Sequence, residues 1–157
     1  KHSGGDYGVV DFSPYGYDER QYCSPGFDLP VGVLSRTPHG CFPEYHTSAD
    51  NLEFVRPQFL ADSFAKCRTV VDVLESNGRY WNNNPKCEPR LGKRNLYGTV
   101  GALREIPEHR LALLWVLNQS DGKHSLLDIS ERSGLRFDLI RAAAEALVHV
   151  DLLRELD

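Results

Sequence analysis

The chain has 157 residues, of which 41% are hydrophobic and 25% are charged, and its formal net charge is −4. These values describe an ordinary globular protein, and the acidic balance argues against nucleic acid or an anionic membrane surface as the main partner. The sequence shows neither an apolar run long enough to cross a membrane nor a signal-peptide pattern at its start.

Two short apolar runs predict strands in the first third of the chain. Residues 8–12 predict a buried strand, and residues 29–37 predict a second one with Pro30 at its start or on a sheet edge. From residue 57 to residue 77 the apolar period becomes that of a helix, which we expect to pack on this sheet. The apolar face of this helix comprises Leu60, Phe64, Cys67, Val71 and Leu74, and Cys67 is expected to be a small core residue.

Residues 79–99 predict a long loop because they are rich in Asn, Pro and Gly. Composition alone would also suit a solvated linker. The segment contains a Trp and two Tyr, however, so we expect it to pack on another part of the protein.

The last third of the chain predicts three helices and a strand. The helices span residues 108–118, 125–133 and 137–150, with a glycine turn at Gly134, and the strand spans residues 152–156. This order is typical of a winged helix-turn-helix. Trp115 is expected in its core.

The charges of this module do not favour DNA recognition. Residues 107–157 carry six basic and nine acidic side chains, and the third helix sets Arg136 and Arg141 against Asp138 and Glu145. Phosphate binding requires uncompensated cations. We therefore expect a packing or partner-binding role, with weak nucleic-acid contact through a partner chain as an alternative.

Four segments together resemble a bacterial family that combines a zinc aminopeptidase-like domain with a C-terminal winged helix, some of whose members are labelled as associated with polysaccharide biosynthesis. The segments are residues 18–32 (DERQYCSPGFDLPVG), 44–50 (EYHTSAD), 84–94 (NPKCEPRLGKR) and 114–122 (LWVLNQSDG). The wider group is the two-zinc exopeptidases. The resemblance implies the C-terminal part of a phosphorylase/hydrolase-like α/β aminopeptidase fold, followed by an all-α, winged helix-turn-helix domain. We expect the aminopeptidase-like α/β domain in residues 1–78, a packed connecting loop in residues 79–106 and the winged helix-turn-helix domain in residues 107–157.

The resemblance also implies a site. Residues 45–50 match a Tyr-His-Thr-x-x-Asp motif whose histidine is the last metal ligand in these enzymes, so His46 is expected to bind zinc. Tyr45 is expected to contact substrate, and so are Asp18, Glu19 and Arg20, since the matching region shapes the substrate pocket. An arginine–carboxylate contact there would hold a substrate terminus. Catalytic residues stay unassigned, because the general base and the other ligands are expected upstream of Lys1.

Alternatives remain at each of these positions. The alternative for His46 is a histidine that only forms hydrogen bonds within a loop. The alternative for residues 18–20 is a surface ion pair. The remaining four histidines between residues 39 and 149 are interpreted as structural, since none has an acidic partner at ligand spacing: His39, His109, His124 and His149.

The sequence thus predicts part of a zinc-dependent aminopeptidase-like hydrolase that acts on a peptide or amide bond in a small substrate. A non-catalytic scaffold with a winged-helix interaction module, or a winged-helix nucleic-acid-binding regulator, is the alternative. We also expect the winged helix to mediate a homo-oligomer. Because the chain lacks methionine, we expect it to be a piece of a longer polypeptide. Four separated cysteines without a Cys-x-x-Cys pair predict reduced thiols in the cytoplasm and argue against a structural zinc site. A Cys23–Cys41 disulfide is the alternative.

Overall fold

A computed structural model describes residues 6–96 and 107–156, which fall into two compact units. Unit 1 comprises residues 6–68, and unit 2 comprises the described residues from 69 onward. The helices are α1 (Glu19–Tyr22), α2 (Pro57–Glu75), α3 (Glu108–Gln119), α4 (Leu126–Ser133) and α5 (Phe137–His149). The strands are β1 (Arg79–Asn82), β2 (Asp121–Ser125) and β3 (Leu153–Leu156), and a 3-10 turn spans Leu91–Arg94.

Unit 1 consists of turns and extended segments around α1 and the first part of α2. The two strands predicted at residues 8–12 and 29–37 do not form, because the ladders of the described chain join only β1 to β2 and β1 to β3. A strand requires a neighbour to accept and donate its backbone hydrogen bonds. No described segment pairs with either run, so the prediction of strands is wrong for these residues.

Helix α2 confirms the helical period but not the packing predicted for it. All five side chains of its predicted apolar face are exposed, including Phe64 at 70% and Leu74 at 63%. The expectation that Cys67 is a core residue is therefore wrong, since no layer of described residues covers this face. Val73, near the end of the helix, instead packs against the core of unit 2.

The sheet of unit 2 has the order β2-β1-β3, and both of its pairings are antiparallel. Its central strand β1 occupies the start of the segment predicted as a loop, so that prediction is wrong for residues 79–82. The buried Asn82 ends this strand. Its side-chain amide donates to the carbonyl oxygen of Leu117 at 2.9 Å, and its side-chain oxygen accepts from the backbone N–H of Asn84 at 2.8 Å. Both polar groups of the buried amide are thereby bonded.

The three helices and the final strand of unit 2 confirm the sequence prediction. Their core is fully buried at Val116, Leu126, Ile140 and Leu147. Trp115 packs against this core but is only half-buried, so the prediction that it lies within the core is only partly confirmed. The core side of α3 is instead formed by its four buried residues, Ala112, Leu113, Val116 and Leu117.

Local signals fix the ends of α4. A capping box begins the helix: the Ser125 hydroxyl accepts from the backbone N–H of Asp128, and the Asp128 carboxylate accepts from the backbone N–H of Ser125. Gly134 ends the helix at φ 74°, a left-handed conformation that glycine adopts without strain. This turn leads directly to α5.

Candidate functional site

His46 lies in a series of tight turns between residues 43 and 52. Its φ of 56° is left-handed, which is uncommon for a residue with a side chain and is often found at functional sites. The turn is held by Thr47, whose backbone N–H and hydroxyl both donate to the carbonyl oxygen of Glu44, at 3.1 and 2.8 Å. The imidazole is exposed. The geometry therefore presents a histidine ring to solvent from a constrained backbone.

Aromatic rings surround this histidine. The rings of Tyr45 and His46 stack with centroids 4.1 Å apart and planes 15° apart. His39 lies 6.1 Å from the ring of Tyr45 and 4.9 Å from the ring of Tyr17, and Phe42 meets Tyr45 edge-on at 5.6 Å. Contacts of this kind restrict the orientation of each ring. The sequence assigned His39 a structural role and gave no sign that it joins Tyr17 to Tyr45.

The three charged residues predicted to bind substrate lie at the start of α1. Both carboxylate oxygens of Glu19 accept from the backbone N–H of Tyr17, at 3.0 and 3.1 Å, so this side chain closes the turn before the helix. The Glu19 carboxylate also occupies the space that a side chain at Gly16 would need. Asp18 and Arg20 are exposed. Through Tyr17 and His39, α1 is linked by ring contacts to the turn that carries Tyr45 and His46.

The described residues do not by themselves provide a set of metal ligands. No group of three or more His, Cys, Asp or Glu side chains in residues 6–96 and 107–156 is arranged to hold a metal ion. His46 therefore belongs to no complete ligand set within these residues, since zinc takes three or four protein ligands. All four cysteines are free thiols.

In unit 2 the arginine that precedes α5 and the arginine within α5 are both paired with acids. The Arg136 guanidinium donates to both carboxylate oxygens of Asp138, at 3.0 and 2.7 Å, and Arg141 lies 3.4 Å from the carboxylate of Glu145. The hydrogen bond from Arg136 lowers the pKa of Asp138, and Asp138 in turn raises the pKa of Arg136. Neutralised arginines are poorly suited to bind phosphates.

One histidine of unit 2 differs from its prediction. The sequence pattern indicates no acidic partner at ligand spacing for His124, but its Nδ1 atom lies 3.0 Å from the carboxylate of Asp121. That carboxylate also accepts from the backbone N–H groups of Lys123 and His124, at 2.9 and 3.2 Å. Together these contacts lower the pKa of Asp121 to about 2, and the hydrogen bond from the backbone N–H of Lys123 contributes most. The cluster fixes the first residues of β2.

Comparison with family models divides the chain into two parts. Residues 1–77 match a domain of unknown function (DUF4910), and residues 78–155 match a winged helix-turn-helix. The second match agrees with the three helices and the antiparallel sheet of unit 2, so a winged-helix domain is present. None of the helices in the described part of the chain is both long and apolar enough to cross a membrane.

Two relatives from Clostridium acetobutylicum match nearly the whole chain. The chain is 51% identical over 153 residues to a protein named for a proposed role in polysaccharide biosynthesis and for an aminopeptidase-like domain; the match covers 98% of the chain and 35% of that protein. A crystal structure titled as that of a proposed peptidase is similar with a TM-score of 0.86 and 48% identity, covering 99% of the chain and 33% of its own. The chain thus spans about a third of the length of these relatives.

Proposed function

We propose that this chain is part of a zinc-dependent aminopeptidase-like hydrolase that acts on a peptide or amide bond, with His46 as one metal ligand. The observation that carries the proposal is the constrained, exposed imidazole of His46, stacked on Tyr45 in a Tyr-His-Thr turn. The names of the two relatives, at 51% and 48% identity, support the same chemical class. A ring held by a stacked neighbour and a closed turn is suited to hold one nitrogen in a fixed direction.

The remaining ligands and the general base are proposed to come from a part of the protein outside these residues. The relatives are about three times as long as the present chain, which leaves room for them. The same part is proposed to cover the exposed side chains of Val9 and Val10, at 84% and 86%, as a layer of a phosphorylase/hydrolase-like α/β fold.

The substrate side of the proposal concerns the residues linked to His46 by ring contacts. Tyr45 is proposed to contact a peptide-like or amide-containing small substrate beside the metal. The exposed guanidinium of Arg20 is proposed to bind its carboxylate, while Asp18 faces solvent near the same helix end. Glu19 is proposed to act by shaping this region, because both of its oxygens are bonded to the backbone of Tyr17.

The decisive experiment is a zinc measurement on the full-length protein and its His46→Ala variant. If His46 is a ligand, the variant binds zinc at least about tenfold more weakly, and hydrolysis of aminoacyl anilides falls with it. His149→Ala, which removes an exposed histidine at the end of α5, is the matched control and should keep full zinc content. Unchanged zinc in the His46 variant would exclude the ligand role.

A non-catalytic scaffold is the second candidate, because no group of three or more metal-ligating side chains is found in the described part of the chain. It predicts that the full-length protein binds zinc or a partner without cleaving aminoacyl anilides. A nucleic-acid regulator is less well supported, since Arg136 and Arg141 are paired with acidic residues of α5. A steep salt dependence of DNA retention would favour that regulator, and a flat one would oppose it.

Two further parts of the proposal concern assembly and location. The winged helix is proposed to mediate protein interaction, including a homo-oligomer, which light scattering on the full-length protein tests. A cytoplasmic location is proposed from the four free thiols, since a reducing compartment keeps cysteines unpaired. Alkylation of intact cells followed by mass analysis would show whether these thiols are reduced there.

A further inference from the structure

A cleft of about 560 Å³ lies on the outer side of α3, within unit 2. Its floor is formed by the half-buried side chains of Leu111, Leu114 and Trp115, and Pro85 and Pro89 line its wall. The volume is in the range of clefts that accept a ligand or an anchoring side chain. An aliphatic and indole surface of this kind suits the side chain of a Leu or Phe.

A cluster of cations adjoins this cleft. Residues 86–94 carry four basic side chains against the single acid Glu88, so they have a net charge of +3 in a chain whose total is −4. The rest of the chain therefore carries −7. The four cations are all exposed, and we call them the basic segment: Lys86, Arg90, Lys93 and Arg94.

The cations of the basic segment differ from those of α5 in having no acidic partner among the described residues. The guanidinium of Arg94 donates at 3.4 Å to the carbonyl oxygen of Arg90, which is a neutral group. Arg90 and Lys93 line a depression of about 490 Å³ that shares Glu88 and Pro89 with the cleft. The apolar floor and the free positive charge are therefore contiguous on one surface.

We propose that this surface of the winged-helix domain, formed by α3 and residues 85–94, is a docking site for an acidic peptide segment with an apolar anchor. The anchor occupies the cleft over Trp115, and the acids of the segment pair with Arg90 and Lys93. Charge complementarity identifies the partner, since the only strongly positive segment of an acidic chain attracts negative charge. The inference does not depend on a catalytic role for unit 1.

An acidic peptide suits these features better than a nucleic acid does. A nucleic acid would need a continuous row of cations and an exposed ring for base stacking. Here the acidic residue Glu88 lines both the cleft and the basic depression, and the indole of Trp115 is half-buried beside leucines. A peptide satisfies both parts, because one side chain enters the cleft and its acidic neighbours reach the rim.

The test uses the 157-residue chain and a fluorescein-labelled peptide in which Glu residues flank a pair of Leu residues. Binding is followed by anisotropy at low and at physiological salt. The double variant Arg90→Glu/Lys93→Glu should weaken binding at least about tenfold, because two attractive pairs become repulsive. The control Lys123→Glu/Arg154→Glu makes the same charge change at exposed positions of β2 and β3 and should weaken binding less than about threefold.

Two further measurements examine the two halves of the site separately. In a Trp81→Phe background the emission of Trp115 should change when the peptide binds, because its anchor enters the cleft. A peptide with Gln in place of Glu, and one with Ser in place of Leu, should each bind at least about tenfold more weakly.

Several outcomes would overturn the proposal. These are equal loss in the two double variants, equal binding of the Gln peptide, no change in Trp115 emission, or no binding of the acidic peptide at all. Tighter binding of duplex DNA than of the peptide, abolished by the Arg90/Lys93 variant, would assign the surface to nucleic acid instead. Thermal unfolding of each variant confirms that it is folded, so a loss of binding reports on the surface itself.

Discussion

Units 1 and 2 contain similar fractions of apolar residues but use them in opposite ways. Six of the seven phenylalanines lie in unit 1, yet the seventh, Phe137 in unit 2, is the one that is buried. All fifteen buried hydrophobic residues of the described chain belong to unit 2. A core therefore depends on having two layers to enclose it, and hydrophobic composition alone does not provide them.

The largest difference between the units should appear in hydrogen exchange. The backbone N–H groups of residues 7–12 make no hydrogen bond to a described residue, whereas those of Ile140 and Leu147 lie inside α5. We expect the first set to exchange at nearly unprotected rates and the second only on global unfolding, a gap of about 5 kcal/mol. Exchange measured by NMR or mass spectrometry checks this. Comparable protection in both sets would mean that residues 7–12 have a structural partner after all.

Truncation of one leucine in each unit should reproduce the contrast. Leu147→Ala removes a fully buried side chain and should lower the free energy of unfolding by about 3 kcal/mol. Leu52→Ala, at a side chain that is 90% exposed, should change it by less than about 0.5 kcal/mol. Urea unfolding followed by tryptophan emission gives both values. A large loss at Leu52 would contradict the assignment of the core to unit 2.

A smaller effect is expected at the start of α4. Ser125→Ala removes the hydroxyl that accepts from the backbone N–H of Asp128 at 3.2 Å, and should cost about 1 kcal/mol. Ser48→Ala is the matched control in unit 1, since that hydroxyl makes no hydrogen bond within the described residues, and it should have almost no effect. Equal effects in the two variants would show that the capping box does not stabilise unit 2. The same urea titration provides the comparison.

The smallest effect concerns pH. The pKa of Asp121 is lowered from 3.8 to about 2, so its contribution to stability is present above pH 4 and is lost as the pH falls toward 2. Because its side chain is 45% exposed, solvent screening reduces the contribution to less than about 1 kcal/mol. Asp121→Asn should lower stability by that amount at pH 7 and flatten the profile between pH 4 and 2. The control Asp11→Asn, in unit 1, should leave the dependence of stability on pH unchanged. If both variants gave the same dependence, the contacts of Asp121 would not be its cause.

The sequence predicts α2, α3, α4 and α5 well because their signals are local. The period of residues 57–77, the Ser125–Asp128 spacing and Gly134 each act within a few residues of the structure they predict. The strands are different. β2 has the sequence Asp-Gly-Lys-His-Ser, which has no strand character of its own and becomes a strand because β1 lies beside it.

The candidate site was predictable only in part, because some of its contacts join residues that are distant in the sequence. His46 stands out in the sequence because a resemblance singles out its turn, and the structure adds a left-handed backbone there. The ring contacts of His39 join residues that are more than twenty positions apart, from Tyr17 to Tyr45. No local pattern indicates such a contact, since it depends on how distant turns meet.

The central position of β1 has a consequence for how this winged helix can be inherited. A gene segment that began at Pro107 would encode α3, α4 and α5 but would omit the strand that both β2 and β3 bond to. The two remaining strands are not neighbours, so neither has a partner in such a product. Recombination that transfers the domain intact must therefore cut before Arg79. Residues 79–82 and residues 107–156 must pass together as one unit of exchange.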